Sequence, residues 1–249
     1  MKVLIAGESW ITQSTHIKGV DSFTLSSYVE GVGPLRDALE ATGHTVAHLP
    51  AHLVPDSFPA STAELDAHDV LVLSDIGANS LLLPRSVAED SQTHPNRFEV
   101  IADWVRGGGA LLMVGGYFSF NGLDGRARFG GTPVEDVLPV TCVPGDDRRE
   151  APEGQHAVVT TPGHPALGGA GSDWPTLLGW NRTEARADAE VLASIGGGDV
   201  LVAVREVADG RSAVFTSDCA PHWATPAFCE QWDGYARLFD GLVTWLARG

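Results

Sequence analysis

Short, uninterrupted apolar runs recur along the chain, and helix-like patterns separate them. The clearest runs are Val3 to Ala6, the centre of "DVLVLSD" (69–75) and the start of "ALLMVGG" (110–116). Apolar runs of this length are typical of strands that helices cover on both faces, as in parallel sheets. The chain is therefore predicted to form an α/β fold around a flavodoxin-like, doubly wound, mostly parallel sheet.

Three segments have the periodicity of amphipathic helices. "GPLRDALEATGH" places Pro34 in its first turn and Gly43 just past its end, which are the usual positions of these two residues. "RFEVIADWVRGGG" and "WDGYARLFDGLVTWLA" each repeat apolar residues at helical spacing. Helices that alternate with buried strands indicate right-handed parallel crossovers.

Two regions depart from this alternation. The 24 or so residues between the first strand and the first helix (8–31) are predicted to be a long polar loop, and residues 132–189 to be irregular apart from one helical turn in "TPVEDVLPV". "DVLVAVREVADGRSAVFTSD" predicts two strands that are joined at Ala208-Asp209-Gly210 and extend the sheet as an antiparallel hairpin. Without an internal repeat or a linker, residues 1–249 are expected to form one domain.

The charge balance limits the partners of the chain. Lys and Arg together number 16 against 32 Asp and Glu, so the formal net charge is −16. Such a surface repels phosphate backbones and anionic lipids, which excludes nucleic acid and membranes as expected partners. The three cysteines lack the spacing of a zinc site or a disulfide framework, and the N-terminal apolar run is too short for a signal peptide. A cytoplasmic location is expected, and association of identical copies stays open.

Candidate site residues follow the predicted strands. In open α/β sheets the ligand crevice lies beyond the carboxyl ends of the strands. The residues at these ends are 8–10, 75–79, 115–121 and 217–223. They include carboxylates, an imidazole and aromatic rings.

Four stretches carry a resemblance to a known family. "VRGGGALLMVGGYFSF", "GTPVEDVLPV", "GHPALGG" and "GRSAVFTSDCAPHW" resemble the class I glutamine amidotransferase-like superfamily, in particular a bacterial branch related to trehalose-utilisation-type proteins. The likeness covers nearly the whole chain. It implies the same α/β scaffold and a site at the strand tips.

The resemblance also implies a chemistry, and this chain departs from it. Active members carry a Gly-x-Cys-x-Gly turn, followed near the C-terminus by a His and, two residues later, a Glu. Here Tyr117 stands at the nucleophile's position and Ser119 at that of the second glycine. His222 matches the histidine, but Ala224 stands where the glutamate is expected. Glutaminase activity of the usual kind is therefore not expected.

Two residues near the turn could replace the missing nucleophile. Ser119 offers a hydroxyl two residues past the expected tip, and Cys219 lies three residues before His222. The alternatives are structural, because turn hydroxyls often satisfy local backbone groups and small thiols often fill apolar cores. The sequence does not decide between these interpretations.

Glu8, Asp218 and His222 form the candidate catalytic set. Two carboxylates and an imidazole at strand tips could meet in one crevice and shift one another's pKa. The alternative is that Asp218 caps the following turn and His222 braces it. The candidate substrate-binding residues are Trp10, Gly116, Tyr117, Ser119, Asn121, Arg128 and Trp223.

No cofactor or metal is predicted. His44, His48 and His52 are four residues apart across a short strand and a loop, where they would not converge on one ion. The glycines of "GGYFSFNG" have neither the Walker nor the dinucleotide-binding spacing.

Three functions follow as hypotheses. The chain binds a small polar metabolite at the strand tips, or it is a hydrolase or lyase with His222 as base, oriented by Asp218 or Glu8. The third hypothesis is a non-enzymatic oligomeric or regulatory module that docks through the aromatic residues of the turn and Trp223.

Overall fold

The computed structural model describes residues 1–247. Its strands are β1 (Lys2–Gly7), β2 (Ser9–Lys18), β3 (Asp21–Glu30), β4 (Thr45–Pro50), β5 (Val70–Ser74), β6 (Ala110–Val114), β7 (Val140–Cys142), β8 (Arg148–Gln155), β9 (Val158–Val159), β10 (Leu177–Asn181), β11 (Thr183–Ala185), β12 (Glu190–Ile195), β13 (Asp199–Val207) and β14 (Gly210–Phe215).

The helices are α1 (Gly33–Ala41), α2 (Val54–Ser57), α3 (Thr62–Leu65), α4 (Ala78–Leu82), α5 (Arg85–Ala88), α6 (Arg97–Arg106), α7 (Pro133–Val137), α8 (Pro226–Cys229) and α9 (Gly234–Leu246), with 3₁₀ turns at Leu123–Gly125 and Pro165–Leu167. The three helices with predicted periodicity are α1, α6 and α9. The side chain of Asn96 starts α6 by accepting a hydrogen bond from the backbone N–H of Phe98 at 3.0 Å.

Eight strands form the central sheet in the order β4-β1-β5-β6-β14-β13-β12-β9. The first five are parallel to their neighbours, and β13, β12 and β9 continue antiparallel. The parallel part has the flavodoxin-like order 2-1-3-4-5, so the predicted fold class is confirmed. The switch point, where successive crossovers leave in opposite directions, lies between β1 and β5.

Apolar side chains cover both faces of the sheet. Alternate residues of β1 point to opposite sides, with Val3 and Ile5 in one core and Leu4 and Ala6 in the other. Helices α1 and α9 pack on the first side, and α6 packs on the second. This two-sided burial explains why the central strands are continuous apolar runs in the sequence.

The predicted loop after β1 was wrong, because β2 and β3 pair there as a hairpin. Their register runs from Ser9 opposite Glu30 to Lys18 opposite Asp21. Gly19 (φ +65°) and Val20 form the two-residue turn, with glycine at the position that needs a positive φ. Every residue from 10 to 30 is exposed, so the hairpin projects from the body. We call residues 9–30 the arm.

Residues 132–189 are more regular than predicted. They contain α7, which is the expected helical turn, and also five short strands. Four of these strands form two small antiparallel sheets, β8 with β10 and β7 with β11. Within residues 1–247, no helix has both the length and the apolar character that a bilayer crossing requires.

Candidate functional site

Two carboxylates lie at the switch point of the sheet. Glu8 follows β1 and Asp75 follows β5, each one residue past its strand. Both have a left-handed backbone, with φ +48° for Glu8 and +43° for Asp75. A residue with a side chain adopts this conformation at a cost, and such strain concentrates at functional sites. The fold therefore places two strained carboxylates where open α/β sheets bind ligands.

Glu8 is buried among groups that hold its carboxyl group in place. Ser74 Oγ donates a short hydrogen bond to Glu8 Oε2, and the thiol of Cys219 lies 3.6 Å from the same oxygen. Burial, followed by the charges of Asp218 and Asp75, raises the pKa of Glu8 well above its ordinary value. The Glu8 carboxyl group therefore retains its proton at higher pH than a free glutamate does.

Asp75 holds the turn that follows β6. Its Oδ1 accepts a hydrogen bond from the backbone N–H of Phe118 at 2.7 Å. Burial and then the Asp218 charge raise the pKa of Asp75 to about 6. Asp75 therefore retains its proton to higher pH than a free aspartate while it anchors the turn.

Asp218 and His222 form a carboxylate–imidazole pair. Asp218 Oδ2 lies 3.4 Å from His222 Nδ1, and Oδ1 accepts the backbone N–H of Ala220 at 3.2 Å. Asp218 therefore has both of the roles that the sequence offered as alternatives: it caps the turn that follows it, and it is the carboxylate partner of His222. The Asp218 carboxylate raises the pKa of His222 above its ordinary value. His222 is half exposed, while Asp218 is buried.

The turn that follows β6 begins with Gly115 and Gly116, and we call it the glycine turn. Neighbouring atoms leave no room for a side chain at either glycine. A Cβ on Gly115 would lie 2.0 Å from the carbonyl oxygen of Thr216, and one on Gly116 (φ +147°) 2.7 Å from Asp75 Oδ1. The N–H of Gly115 donates to the carbonyl oxygens of Phe215 and Ser217 at 2.8 and 2.9 Å. The turn is thereby held directly against the segment that carries Asp218.

A buried polar pair supports the turn from below. Asn181 Oδ1 accepts the N–H of Gly116 at 2.9 Å, and Asn181 Nδ2 donates to Asp147 Oδ1 at 2.8 Å. Asp147 also accepts the N–H groups of Asn121 and Gly122 at 2.7 and 2.9 Å. Burial raises the pKa of Asp147 to about 6. Both ends of the glycine turn are therefore fixed by side chains from distant parts of the chain.

Aromatic rings form one wall. The rings of Tyr117, His222 and Trp223 contact one another: Tyr117 meets His222 edge-on with 4.6 Å between centroids, Trp223 stacks on His222 at 5.5 Å, and Tyr117 and Trp223 are 5.6 Å apart. Glu150 accepts the Tyr117 hydroxyl and the Trp223 indole N–H, each at 3.0 Å. These contacts show that the glycine turn faces the 218–223 segment.

The site is an open pocket of about 390 Å³. It is lined by Glu8, Trp10, Asp75, Tyr117, Phe118, Asp218, Ala220, Pro221 and His222. The structure thus brings together five sequence candidates, which are Glu8, Trp10, Tyr117, Asp218 and His222. A wider groove of about 540 Å³ between α1 and the α8–α9 region contains none of them.

The other candidate binding residues lie outside the lining. Gly116 and Trp223 support it from behind, as described above. The Asn121 side chain is tied to the carbonyl oxygen of Val143 and the N–H of Gly130. Arg128 is exposed, with a left-handed backbone at φ +63°. The structure does not bring Asn121 or Arg128 to the pocket.

Neither potential replacement nucleophile reaches the pocket. Ser119 is buried, and its Oγ donates to the carbonyl oxygen of Val114 and accepts the N–H of Asp75. Cys219 is fully buried, and burial together with the Glu8 and Asp218 charges raises the pKa of its thiol well above the ordinary value. A neutral, enclosed thiol is a poor nucleophile.

One group of buried atoms has the spacing of a metal site. One carboxylate oxygen each of Glu8 and Asp218 and the Sγ of Cys219 lie within 4.8 Å of one another. Burial raises the pKa of Glu8 and of Cys219, which favours their protonated forms. A cation would have to displace these protons in order to bind.

Sequence reasoning missed several contributors to the site, among them Asp75 and Glu150. Asp75 stands at a strand end, but only the left-handed backbone and the Phe118 contact reveal its role. Glu150 lies in a segment that was predicted to be irregular. Its hydrogen bonds with Tyr117 and Trp223 depend on the register of β8 against β10. The one signal in the sequence for Asp75 was its position directly after a buried strand, which is also the position of Glu8 after β1.

Known proteins resemble the chain over its full length. A solved structure of a protein from Salmonella typhimurium, named there a cytoplasmic protein, is 42% identical, and the match covers 100% of both chains with a TM-score of 0.96. A second cytoplasmic protein of that organism is 40% identical, with 99% of both chains covered and a TM-score of 0.94.

More distant structures share the fold alone. A ThuA-like protein from Parabacteroides merdae is 13% identical, with 100% of this chain and 90% of that chain covered and a TM-score of 0.57. No curated protein matches the sequence. The family GATase1_like, described as "Putative glutamine amidotransferase", matches residues 2–248, and the chain belongs to this family.

Proposed function

We propose that this amidotransferase-like chain binds a small polar metabolite at the carboxyl ends of its parallel strands and does not hydrolyse glutamine. One observation carries the proposal: Glu8, Asp75 and Asp218 converge on a pocket that Trp10, Tyr117 and Phe118 enclose. Polar groups that converge in a walled pocket are the usual form of a small-molecule site.

The charges favour one class of ligand. The pocket presents three carboxyl groups and one imidazole, and within its lining His222 is the sole basic side chain. Carboxyl oxygens accept hydrogen bonds and attract positive charge, and aromatic faces also attract cations. The preferred ligand is a neutral or cationic molecule rich in hydroxyl or amino groups, with an apolar part for the aromatic wall. Anions are repelled.

A matched ligand panel tests this proposal. Amines, polyols and sugars, and carboxylates of similar size would be compared by thermal shift, because a ligand that binds only the native form raises the melting temperature. Calorimetry would then give the affinity of each compound that responds. We expect amines or hydroxyl-rich compounds to respond and carboxylates to fail. A response confined to anions would contradict the proposal.

Variants locate the binding. Asp218→Asn removes a carboxylate from the pocket, and Glu8→Gln replaces a carboxyl group by an amide, both with little change in shape. Each should weaken binding of a responding compound about tenfold or more. Asp103→Asn is the matched control, since Asp103 is an exposed carboxylate on α6 far from the strand tips. Equal affinity in all three variants would place the ligand elsewhere.

A hydrolase or lyase is the second candidate, and the Asp218–His222 pair favours it. With Nδ1 next to the carboxylate, Nε2 is the nitrogen that is free to exchange a proton with a substrate. Chromogenic nitrophenyl esters and glycosides are suitable probes. Any turnover should depend on an imidazole pKa above 6.5 and be lost in His222→Gln. Turnover that survives this change in a folded variant would exclude the candidate.

We also propose that the protein works in the cytoplasm. The two relatives of 42% and 40% identity carry that name, and the three cysteines Cys142, Cys219 and Cys229 are free thiols. Free thiols are usual in reducing compartments. Fractionation of the producing cells tests this, and recovery from an extracytoplasmic fraction would refute it.

A further inference from the structure

One carboxylate outside the pocket lining holds two of the aromatic rings at the site. Glu150 Oε1 accepts the hydroxyl of Tyr117, and Oε2 accepts the indole N–H of Trp223, each at 3.0 Å. Both rings also contact the ring of His222. We call the rings of Tyr117, His222 and Trp223 the ring cluster. A single carboxyl group thus joins the two members of this cluster that flank the imidazole in the chain of contacts.

The indole of Trp223 depends on this carboxylate. Trp223 is 1% exposed, so little water reaches its ring. A buried N–H that has no acceptor is costly, because it has lost its hydrogen bonds to water. The contact with Glu150 is therefore the one that orients the Trp223 indole in the folded chain.

The pairing of β8 with β10 makes this contact possible. Glu150 lies opposite Gly179 in the antiparallel register. A Cβ on Gly179 would lie 2.3 Å from Trp223 Nε1, so the indole occupies the space that a side chain would need there. The carbonyl oxygen of Trp223 also accepts the N–H of Leu178 at 2.8 Å. The glycine on one strand and the glutamate on the other thus define the position of Nε1.

Arg148 adds a second contact from β8 to Tyr117. Its guanidinium carbon lies 5.1 Å from the centroid of the Tyr117 ring, which is within the range of a cation–π interaction. Asp146 holds this side chain, with 2.7 Å between Asp146 Oδ2 and Arg148 Nη2. Residues two apart on a strand point to the same side, so Arg148 and Glu150 approach Tyr117 together.

We propose that Glu150 is a positioning residue of the pocket, which fixes the rings of Tyr117 and Trp223 and, through them, the imidazole of His222. The role rests on the proposed function, because Tyr117 and His222 line the pocket that the ligand would occupy. Asp218 restrains the imidazole at Nδ1, and the ring contacts restrain the plane of the imidazole. Together they direct Nε2, the nitrogen that is free to meet a ligand.

NMR of the ligand-free, full-length chain tests this proposal. With selectively labelled His, Tyr and Trp, nuclear Overhauser effects (NOEs) between the His222 ring and the rings of Tyr117 and Trp223 report the contacts of the ring cluster. The wild-type chain should show both sets of NOEs. Glu150→Leu removes both acceptor oxygens at similar side-chain volume, so this variant should lose most of the NOE intensity to His222.

Glu150→Gln is the conservative variant that separates position from charge. Its amide oxygen can accept the Trp223 N–H, and its amide N–H can donate to the Tyr117 hydroxyl oxygen, which accepts as well as donates. Both hydrogen bonds are kept while the charge is removed, so the wild-type NOEs should be retained. Glu153→Leu is the matched control on β8, since Glu153 is exposed and accepts from the Gln155 side chain at 3.2 Å. It should leave the ring contacts unchanged.

A second variant approaches the same contact from β10. Gly179→Ala forces the Trp223 indole away from Glu150, so the NOEs between Trp223 and His222 should weaken even if Glu150→Leu does not fold. Denaturant unfolding establishes that each variant is folded. Wild-type NOEs in a folded Glu150→Leu or Gly179→Ala variant would overturn the proposal, and so would equal losses in Glu150→Gln or Glu153→Leu.

The outcome is separable from that of the ligand panel. No ligand enters the NMR measurement, so it reports the position of the rings alone. A chain that loses its ring contacts in Glu150→Leu and yet binds no compound of the panel would refute the proposed binding function only.

Discussion

Asp218 Oδ2 lies 3.4 Å from Nδ1 of His222, so a buried carboxylate partners a half-exposed imidazole at the edge of the pocket. Asp218 is fixed by the N–H of Ala220, while the His222 ring packs against the rings of both Tyr117 and Trp223. This geometry sets the charge of the one basic side chain in the pocket lining.

The first prediction concerns the titration of His222. The Asp218 carboxylate raises the His222 pKa, so the midpoint measured by NMR at the imidazole Cε1–H should lie above 6.5. Because the folded pKa exceeds the unfolded one, the stabilisation is fully present below about pH 6.5 and is lost as pH rises through the folded pKa. Asp218→Asn should lower the midpoint. An unchanged midpoint would show that the pair is not coupled.

The second prediction concerns Asp75, whose pKa is raised to about 6. A carboxyl group with a raised folded pKa stabilises the fold below its unfolded pKa of about 4, and this stabilisation is lost as pH rises through about 6. Asp75→Asn keeps an oxygen for the Phe118 N–H and removes the titration. The variant should be about 2–3 kcal/mol more stable than wild type at pH 8, and the difference should vanish near pH 4.

Denaturant unfolding at several pH values measures this difference. The exposed Asp103→Asn serves as control and should follow the wild-type pH dependence. If the Asp75 variant follows it too, burial of this carboxylate does not affect stability as described.

The third prediction concerns Gly115. Because a Cβ there would lie 2.0 Å from the backbone oxygen of Thr216, Gly115→Ala forces two strands apart and should cost about 3 kcal/mol or more. Gly163→Ala is the matched control, since a Cβ there meets nothing within 4 Å. The control should be neutral or slightly stabilising. Similar melting temperatures for both variants would contradict the close approach of β6 and β14.

The fourth prediction concerns Asn181. Asn181→Ala leaves the buried Gly116 N–H without its partner and removes one of the two donors to Asp147 Oδ1, which should cost about 2 kcal/mol or more in unfolding free energy. Asn79→Ala, at an exposed position of α4, should change stability by less than about 0.5 kcal/mol. A stable Asn181 variant with unchanged pocket affinity would remove the polar pair from the account of the site.

The fifth prediction concerns glutamine. The wild-type chain should release no ammonia from millimolar glutamine in a coupled dehydrogenase assay. Tyr117→Cys should also be inactive, because Ala224 replaces the triad carboxylate and the nearby carboxylates oppose formation of a thiolate. Release of ammonia by the wild-type chain would refute the account of its chemistry.

The parallel strands could be predicted because strands that are buried on both faces consist of consecutive apolar residues. The arm escaped prediction because its many Ser and Thr residues are equally typical of loops, and no core imposes alternation on an exposed hairpin. The convergence of Glu8, Asp218 and His222 could be predicted because all three follow strands, and the carboxyl ends of parallel strands meet at one edge of the sheet. Asp147 and Asn181 could not be found in this way, because their contacts with the glycine turn depend on how short strands far apart in the chain are aligned.

The two ends of the arm meet beneath the pocket, where the Gly31 N–H donates to the Glu8 carbonyl oxygen at 2.9 Å. A Cβ on Gly31 would lie 2.5 Å from Glu8 Oε1, so the return of the chain rests directly on that carboxyl group. The chain thus leaves and re-enters the body at one point, so the hairpin is an insertion whose removal would leave the order of the central strands unchanged.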